Sequence, residues 1–179
     1  MLQKGSTLKT LEVFFKSPTK THYLIDISRK IGLAHTSVKK NLSQLLNEGL
    51  IKETIQKKGR RKFPVYSANI DNKNFKRQKI VYNLSSLFQS GLIDFLEEKL
   101  APNSIVVFGS YRRGEDTEDS DIDLFVETVE ENIDVTKFGK KLNRKIQIHF
   151  KKEFTNYPKE LKNNIINGIA VQGFLEGYK

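Results

Sequence analysis

Residues 104–126 read SIVVFGSYRRGEDTEDSDIDLFV, and this stretch decides what the second half of the chain is. Ser104 to Phe108 is a short apolar run rich in β-branched residues, the pattern of a buried strand. Gly109-Ser110 closes it with a residue small enough for a phosphate to approach the backbone, and the Ser110 hydroxyl and neighbouring N–H groups suit phosphate oxygens. Arg112 and Arg113 add cations nearby. Farther on, Asp121 and Asp123 are separated by one residue; on a strand that spacing points both carboxylates to one side and turns Ile122 and Leu124 into the core. Two carboxylates facing one way repel each other unless a hard cation lies between them. Mg²⁺ suits such a place because it takes one or two carboxylates together with phosphate oxygens.

With its strand, Gly109-Ser110, Arg113-Gly114, Ser120 and Asp pair in this order, the segment resembles the polymerase-beta type nucleotidyltransferase superfamily. It matches at every stated position the GSxxRGxxxxxSDxDL form of the small prokaryotic members, the minimal nucleotidyltransferases. The resemblance covers about residues 92–150. It implies that Gly109 and Ser110 hold the β and γ phosphates of a nucleoside triphosphate, with Ser120 in the same nucleotide site. It also implies that Asp121 and Asp123 are the catalytic pair holding Mg²⁺ or Mn²⁺. A nucleophile then attacks the α-phosphorus and pyrophosphate leaves. Arg113 either steadies the triphosphate or forms a salt bridge to Glu115 or Asp119.

The family also uses a third carboxylate on a later strand. The strand expected to carry it is LNRKIQIHF, after a helix over VTKFGKKL. There Ile146, Ile148 and Phe150 take one face, so Gln147 and His149 share the other, and Gln147 occupies the acid's place. An amide is neutral and takes no proton at ordinary pH. His149 is either a base or a packing residue, and Glu153 lies just beyond the strand. The tail ELKNNIINGIAVQGFLEGYK predicts a helix with Leu161, Ile165 and Ile166 inward, then a strand from Ile169 toward Leu175.

The N-terminal half has a different grammar. Leu8, Leu11 and Phe15 recur at helical spacing before Pro18; Leu24, Ile27 and Ile31 do so between a cap at Thr21 and a stop at Gly32. In AHTSVKKNLSQLLNEG, Val38, Leu42 and Leu45 form a buried stripe that ends at Gly49. Ser37, Lys40, Asn41 and Gln44 project from the other face with Lys39 at the flank, a set suited to base edges in a major groove. LIKETIQ and KFPVYSA then read as two strands joined by KKGR, and this hairpin carries Lys57, Lys58, Arg60, Arg61 and Lys62. Residues 6–68 resemble the winged helix-turn-helix superfamily. The resemblance implies that the third helix enters the groove and the wing grips the backbone, although such modules also bind proteins.

Charge follows the same division. Residues 1–80 hold 18 basic and 5 acidic side chains, a net +13, whereas residues 81–179 hold 13 basic and 16 acidic ones, a net −3. At 37% hydrophobic and 29% charged the chain has too many core formers to be disordered or fibrous. Its longest uncharged stretch, Ile80 to Ile93, is 14 residues and contains Asn, Ser and Gln, short of the ~20 apolar residues of a membrane span. The absence of cysteine leaves no disulfide scaffold, and the first residues lack a signal-peptide pattern, so a cytoplasmic protein without a membrane partner is expected. Between the halves, Ile80, Leu84, Leu87, Phe88, Leu92, Phe95 and Leu96 lie near a helical stripe interrupted at Ser90-Gly91. That stripe suits either a homodimer seam or packing on the next domain.

The expected architecture is α+β: an N-terminal winged helix-turn-helix (1–70), a helical connector (71–98) and a small mixed-sheet nucleotidyltransferase domain (99–179). Two functions fit it. One is a Mg²⁺-dependent transferase that moves a nucleoside monophosphate from a nucleoside triphosphate to an acceptor while the winged helix holds DNA. The resemblance makes a helical partner protein one conceivable acceptor, because small superfamily members include antitoxins that adenylylate an all-helical toxin; the fused winged helix departs from their stand-alone form. The alternative is a transcription regulator whose transferase-like domain, lacking its third acid, binds nucleotide as a sensor.

Overall fold

The computed structural model describes residues 5–150 and 157–175, apart from the side chain of Lys58. The chain forms two compact units that divide between Lys79 and Ile80, so the segment anticipated as a connector contributes to both.

The first unit opens with three helices, α1 (Ser6–Lys16), α2 (Leu24–Ile31) and α3 (His35–Asn47), followed by the strands β1 (Ile51–Lys58) and β2 (Arg61–Ala68). α1 buries Thr10, Leu11, Val13, Phe14 and Phe15. Its stripe is rotated from the one read in the sequence: Leu8 is exposed, because Val13 and Phe14 fill the core beside Leu11 and Phe15. α2 starts at a Tyr23 cap and not at Thr21. The reason is that His22 exchanges two backbone hydrogen bonds with Tyr66, of 2.8 and 2.9 Å, which keeps the chain extended up to that point. Gly32 closes α2 at φ +65°, a left-handed conformation that glycine adopts without strain.

β1 and β2 pair antiparallel from Ile51↔Ala68 to Lys58↔Arg61, leaving Gly59 and Arg60 as a two-residue turn. The turn is therefore narrower than the KKGR read from sequence; Lys57 and Lys58 belong to β1, and Gly59 at φ +62° supplies the tight reversal. Beyond β2, the Asn72 carboxamide oxygen accepts the N–H groups of Asn74 (2.7 Å) and Phe75 (3.1 Å), capping α4 (Lys73–Ser90). The amide nitrogens of Asn69 and Asn72 both donate to the Gly49 carbonyl just past α3.

The second unit holds the rest of α4, then α5 (Leu92–Leu100), β3 (Ser104–Phe108), α6 (Gly109–Arg113) and β4 (Ile122–Val126). It continues through α7 (Thr136–Leu142), β5 (Ile146–Phe150), α8 (Lys159–Ile166) and β6 (Ile169–Gly173). The interruption at Ser90-Gly91 separates two helices. Gly91 stands at φ +81°, Ser90 Oγ donates to the Leu87 carbonyl (2.6 Å) and accepts the Leu92 N–H (3.1 Å), and Lys141 Nζ donates to the carbonyls of Gln89 and Ser90.

The strands lie in the order β5-β4-β3-β6, with β3 antiparallel to β4 and β6 and β4 parallel to β5, a small mixed sheet. On one face Ile105, Val107, Ile122, Leu124 and Val126 join Leu87, Leu92, Leu96 and Phe138 in one core. On the other, Val106, Phe108 and Phe125 pack with Ile165 of α8. Both faces are covered, which is why β3 is an unbroken apolar run and not an alternating one. The stripe read as a dimer seam or a packing face is largely consumed by this core, although Phe88 remains exposed.

Candidate functional site

Parity along β4 places Asp123, whereas Asp121, expected on the same strand, immediately precedes it. Ile122 and Leu124 are fully buried on one face, while Asp123 is on the other, directly opposite Phe108 in the β3/β4 register. β3 ends at Phe108, and Gly109 turns at φ +71° into α6. A Cβ added to Gly109 would lie 2.2 Å from Asp123 Oδ2, so the absence of a side chain is what lets the carboxylate rest on the turn. The Gly-Ser turn and the acid pair, separated in sequence by the whole of α6 and an acidic loop, thus meet at one end of one strand pair.

The next strand contributes a partner to each carboxylate. Gln147 Nε2 donates to Asp121 Oδ2, and His149 Nε2 lies 3.8 Å from Asp123 Oδ1 with its ring against Phe108, centroids 5.2 Å apart. Ile146, Ile148 and Phe150 face the core, as read from the alternation. Burial raises the pKa of Asp123; His149 and Arg113 oppose that rise and the Asp121 charge adds to it. Among the described residues, no three His, Cys, Asp or Glu side chains are grouped so as to hold a metal ion. Two carboxylates are nevertheless a donor set that Mg²⁺ accepts together with phosphate oxygens, and a cation there would relieve the repulsion and desolvation that Asp123 feels. Glu153, the loop acid considered from sequence, lies outside the described residues.

The other predicted residues of this half divide. Ser110 is half-buried at the start of α6. Arg113 Nε donates to Glu115 Oε2 at 2.8 Å, the salt bridge weighed from sequence, while remaining near enough to Asp123 to influence its charge. Ser120 Oγ accepts the Thr117 N–H at 2.9 Å and thereby shapes the turn that delivers Asp121. Sequence reading missed Asp116. It is 2% exposed, it accepts Asn83 Nδ2 at 2.8 Å, and Arg144 NH2 lies 3.8 Å from it. Asn83 also donates to the Tyr111 carbonyl and accepts the Tyr111 hydroxyl on its own carbonyl, so α4 holds α6 through one side chain and one main-chain group. Burial, with Asp116 adding to it, pushes the Tyr111 phenol well above its ordinary range. The missed signal was the cluster EDTED, whose members look alike in sequence though one of them is interior.

In the first unit, Ser37, Lys39, Lys40 and Gln44 are exposed on α3, and Lys39, Lys40 and Gln44 line a shallow groove there with Thr36, Ser43, Asn47 and Glu48. Asn41 is a correction. It is 4% exposed, donates to Thr10 Oγ1 at 3.0 Å and accepts hydroxyl hydrogen bonds from Ser6 and Thr7, so α1 covers it. The cause is the polar N-terminal face of α1, which turns the edge of the α3 stripe inward. Gln44 stays exposed while accepting Thr7 Oγ1 and donating to Glu48. On the hairpin, Lys57, Arg60, Arg61 and Lys62 are exposed. Tyr23, whose hydroxyl donates to Gln56, meets Phe63 edge-on and ties α2 to that hairpin. No helix among the described residues is long and apolar enough to cross a membrane.

Three comparisons bear on this arrangement. A curated protein of Methanocaldococcus jannaschii named "Putative protein adenylyltransferase" is 57% identical over 37 residues, 21% of this chain. The chain spans 37% of that relative's length. A solved structure titled "Possible transcriptional regulator from Methanosarcina mazei Go1" is 18% identical and covers 54% of this chain and 79% of its own, with a TM-score of 0.37, too low to establish a common fold. Finally, the family model described as "Nucleotidyltransferase domain" matches residues 90–171, the stretch that holds β3, the Gly109-Ser110 turn, the acid pair and β5. That match lies wholly within the second unit and covers a little under half of the chain.

Proposed function

We propose that the chain is a Mg²⁺-dependent nucleotidyltransferase that moves a nucleoside monophosphate from a nucleoside triphosphate to an acceptor, and that its first unit is a winged helix holding DNA. The observation that carries the first part is the contact of the Asp123 carboxylate with the Gly109 turn, which brings acid pair and phosphate turn together. The Gly109-Ser110 turn binds the β and γ phosphates through backbone N–H groups and the Ser110 hydroxyl. Asp121 and Asp123 hold Mg²⁺, or Mn²⁺ in its place. Bound there, the cation offsets charge on the triphosphate and polarises the α-phosphate. Arg113 divides its guanidinium between Glu115 and the phosphates, and Ser120 fixes the loop that leads into Asp121. Rate enhancement comes mostly from positioning and charge neutralisation, as phosphoryl chemistry requires. The name of the Methanocaldococcus relative supports an adenylyl group and a protein acceptor, for which a helical partner protein is a candidate.

For the first unit, the order of three helices and a hairpin, the exposed Ser37, Lys39, Lys40 and Gln44 and the cations on the hairpin support DNA binding. The net +13 of residues 1–80 supplies the field for it. The deciding experiment incubates the chain with α-labelled nucleoside triphosphates, Mg²⁺ or Mn²⁺ and candidate acceptors. Label should transfer with wild type and vanish with Asp123→Ala; equal labelling by both, or none by either, rejects the enzyme.

A second reading rests on Gln147, a neutral residue bonded to Asp121 where a third acid would stand. On it the domain senses nucleotide without turnover. Nucleoside triphosphate with Mg²⁺ then raises Tm and shifts DNA affinity while remaining intact; consumption of the nucleotide rejects it.

A further inference from the structure

β4 and β5 run parallel, with Asp123 opposite Gln147 and Phe125 opposite His149. Each of these β5 side chains nevertheless meets the carboxylate two positions earlier than its register partner: Gln147 meets Asp121, and His149 meets Asp123. The slant of a parallel ladder therefore gives every acid of the pair its own neighbour on β5. Gln147 faces Asp121 with its nitrogen, the only end of a carboxamide that a carboxylate oxygen attracts. A carboxylate with one oxygen committed to a fixed donor has lost most of its rotational freedom, and the remaining oxygen is presented in one direction.

We infer that Gln147 is a positioning residue: it orients Asp121 toward Mg²⁺ by donating a hydrogen bond, and it does not ligate the metal. This rests on the nucleotidyltransferase reading above and changes what Gln147 means within it. The position is neither a vacant ligand place nor a lesion; it is a donor that aims a ligand. Because Gln147 sits in the interior of β5 between Ile146 and Ile148, which are held by the core, its own reach is fixed by the sheet. Partners of this kind typically set metal affinity by about 10- to 100-fold.

The test uses the full chain labelled with ¹⁵N. The Gln147 side-chain amide is assigned by its disappearance in Gln147→Met, which preserves length and removes the donor. Expected are one strongly downfield amide proton in wild type, loss of that shift in Asp121→Ala, and persistence of it when Mg²⁺ and a non-hydrolysable ATP analogue are added. Calorimetry under the same conditions should show Mg²⁺ binding weakened about 10-fold or more in Gln147→Met, with Tm close to wild type. An ordinary amide shift, or a shift that collapses on Mg²⁺ addition because the oxygen has turned to the metal, overturns the inference. So does unchanged Mg²⁺ affinity in Gln147→Met. If wild type binds no Mg²⁺ even with nucleotide while the downfield proton is present, the transferase reading has failed and the positioning role falls with it; that pattern differs from the others in its intact hydrogen bond.

Discussion

The Cα of Gly109 faces the Asp123 carboxylate so closely that a methyl group on it would stand 2.2 Å from Oδ2. Gly109→Ala must therefore displace the acid and also place a Cβ at φ +71°. A cost of about 1–3 kcal/mol in stability is expected from the strained backbone and the displaced carboxylate. Nucleotide-dependent protection against thermal unfolding should disappear as well. A variant with wild-type Tm shift on adding Mg²⁺ and nucleoside triphosphate would show that the acid is not needed where it rests.

Asp123 should weigh on the metal-free fold. Its pKa is raised above the ordinary 3.8 by burial, so the folded state binds a proton more readily than the unfolded chain does. The contribution to stability is thus fully present below about pH 3.8 and declines as pH rises through the raised value. Asp123→Asn, measured at pH 7 with chelator, should raise Tm by a few degrees and flatten this part of the pH profile, while nucleotide transfer is lost. A lower Tm would mean that the His149 contact outweighs desolvation.

Asp116 belongs to the fold. Asp116→Ala removes the acceptor of Asn83 and the carboxylate facing Arg144, whose side chain is 7% exposed. A loss of about 3 kcal/mol is expected, the low end for breaking a buried ion pair because the two groups stand 3.8 Å apart. Denaturant unfolding of the full chain measures it. Glu118→Ala, on the same acidic loop but only partly buried, should change stability by less than about 1 kcal/mol.

The proposed DNA binding should separate Asn41 from its neighbours. Asn41→Ala deletes buried hydrogen bonds to α1 and should cost about 1–3 kcal/mol of folding without altering base preference. Lys40→Ala and Ser37→Ala should leave stability within about 0.5 kcal/mol of wild type and weaken binding. Changing Lys57 and Arg61 to Gln should lower the log-log salt slope by about 0.9 for each phosphate that the hairpin no longer neutralises. Slopes that stay the same would place the phosphate-binding cations elsewhere than on the hairpin.

Much of this was legible because local chemistry and tertiary placement agreed. The alternation in IQIHF placed Gln147 and His149 on one face with no knowledge of the sheet, and the Asp-x-Asp spacing did the same for Asp121 and Asp123. Val38, Leu42 and Leu45 were equally plain, since an apolar stripe has one way to be satisfied. Asn41 was misread because periodicity reports a side chain's angle around its helix and not what a polar helix such as α1 brings against it. Asp116 was invisible for a related reason: its burial depends on Asn83 and Arg144, far from it in sequence, and no spacing rule connects them. The left-handed turns at Gly59, Gly91 and Gly109 were recoverable, whereas those at Ala101 and Asn143 were not, because neither residue announces that conformation.

The pairing of β6 with β3 has a consequence for synthesis. Ser104 is matched across that edge by Gly173, so β3 leaves the ribosome long before the strand that will cover it. All elements of the first unit up to β2 have been made by then. A nascent chain stalled just short of β6 should accordingly already present a protease-resistant N-terminal unit and still expose the apolar SIVVF edge, the period during which a chaperone would have most to gain by holding it.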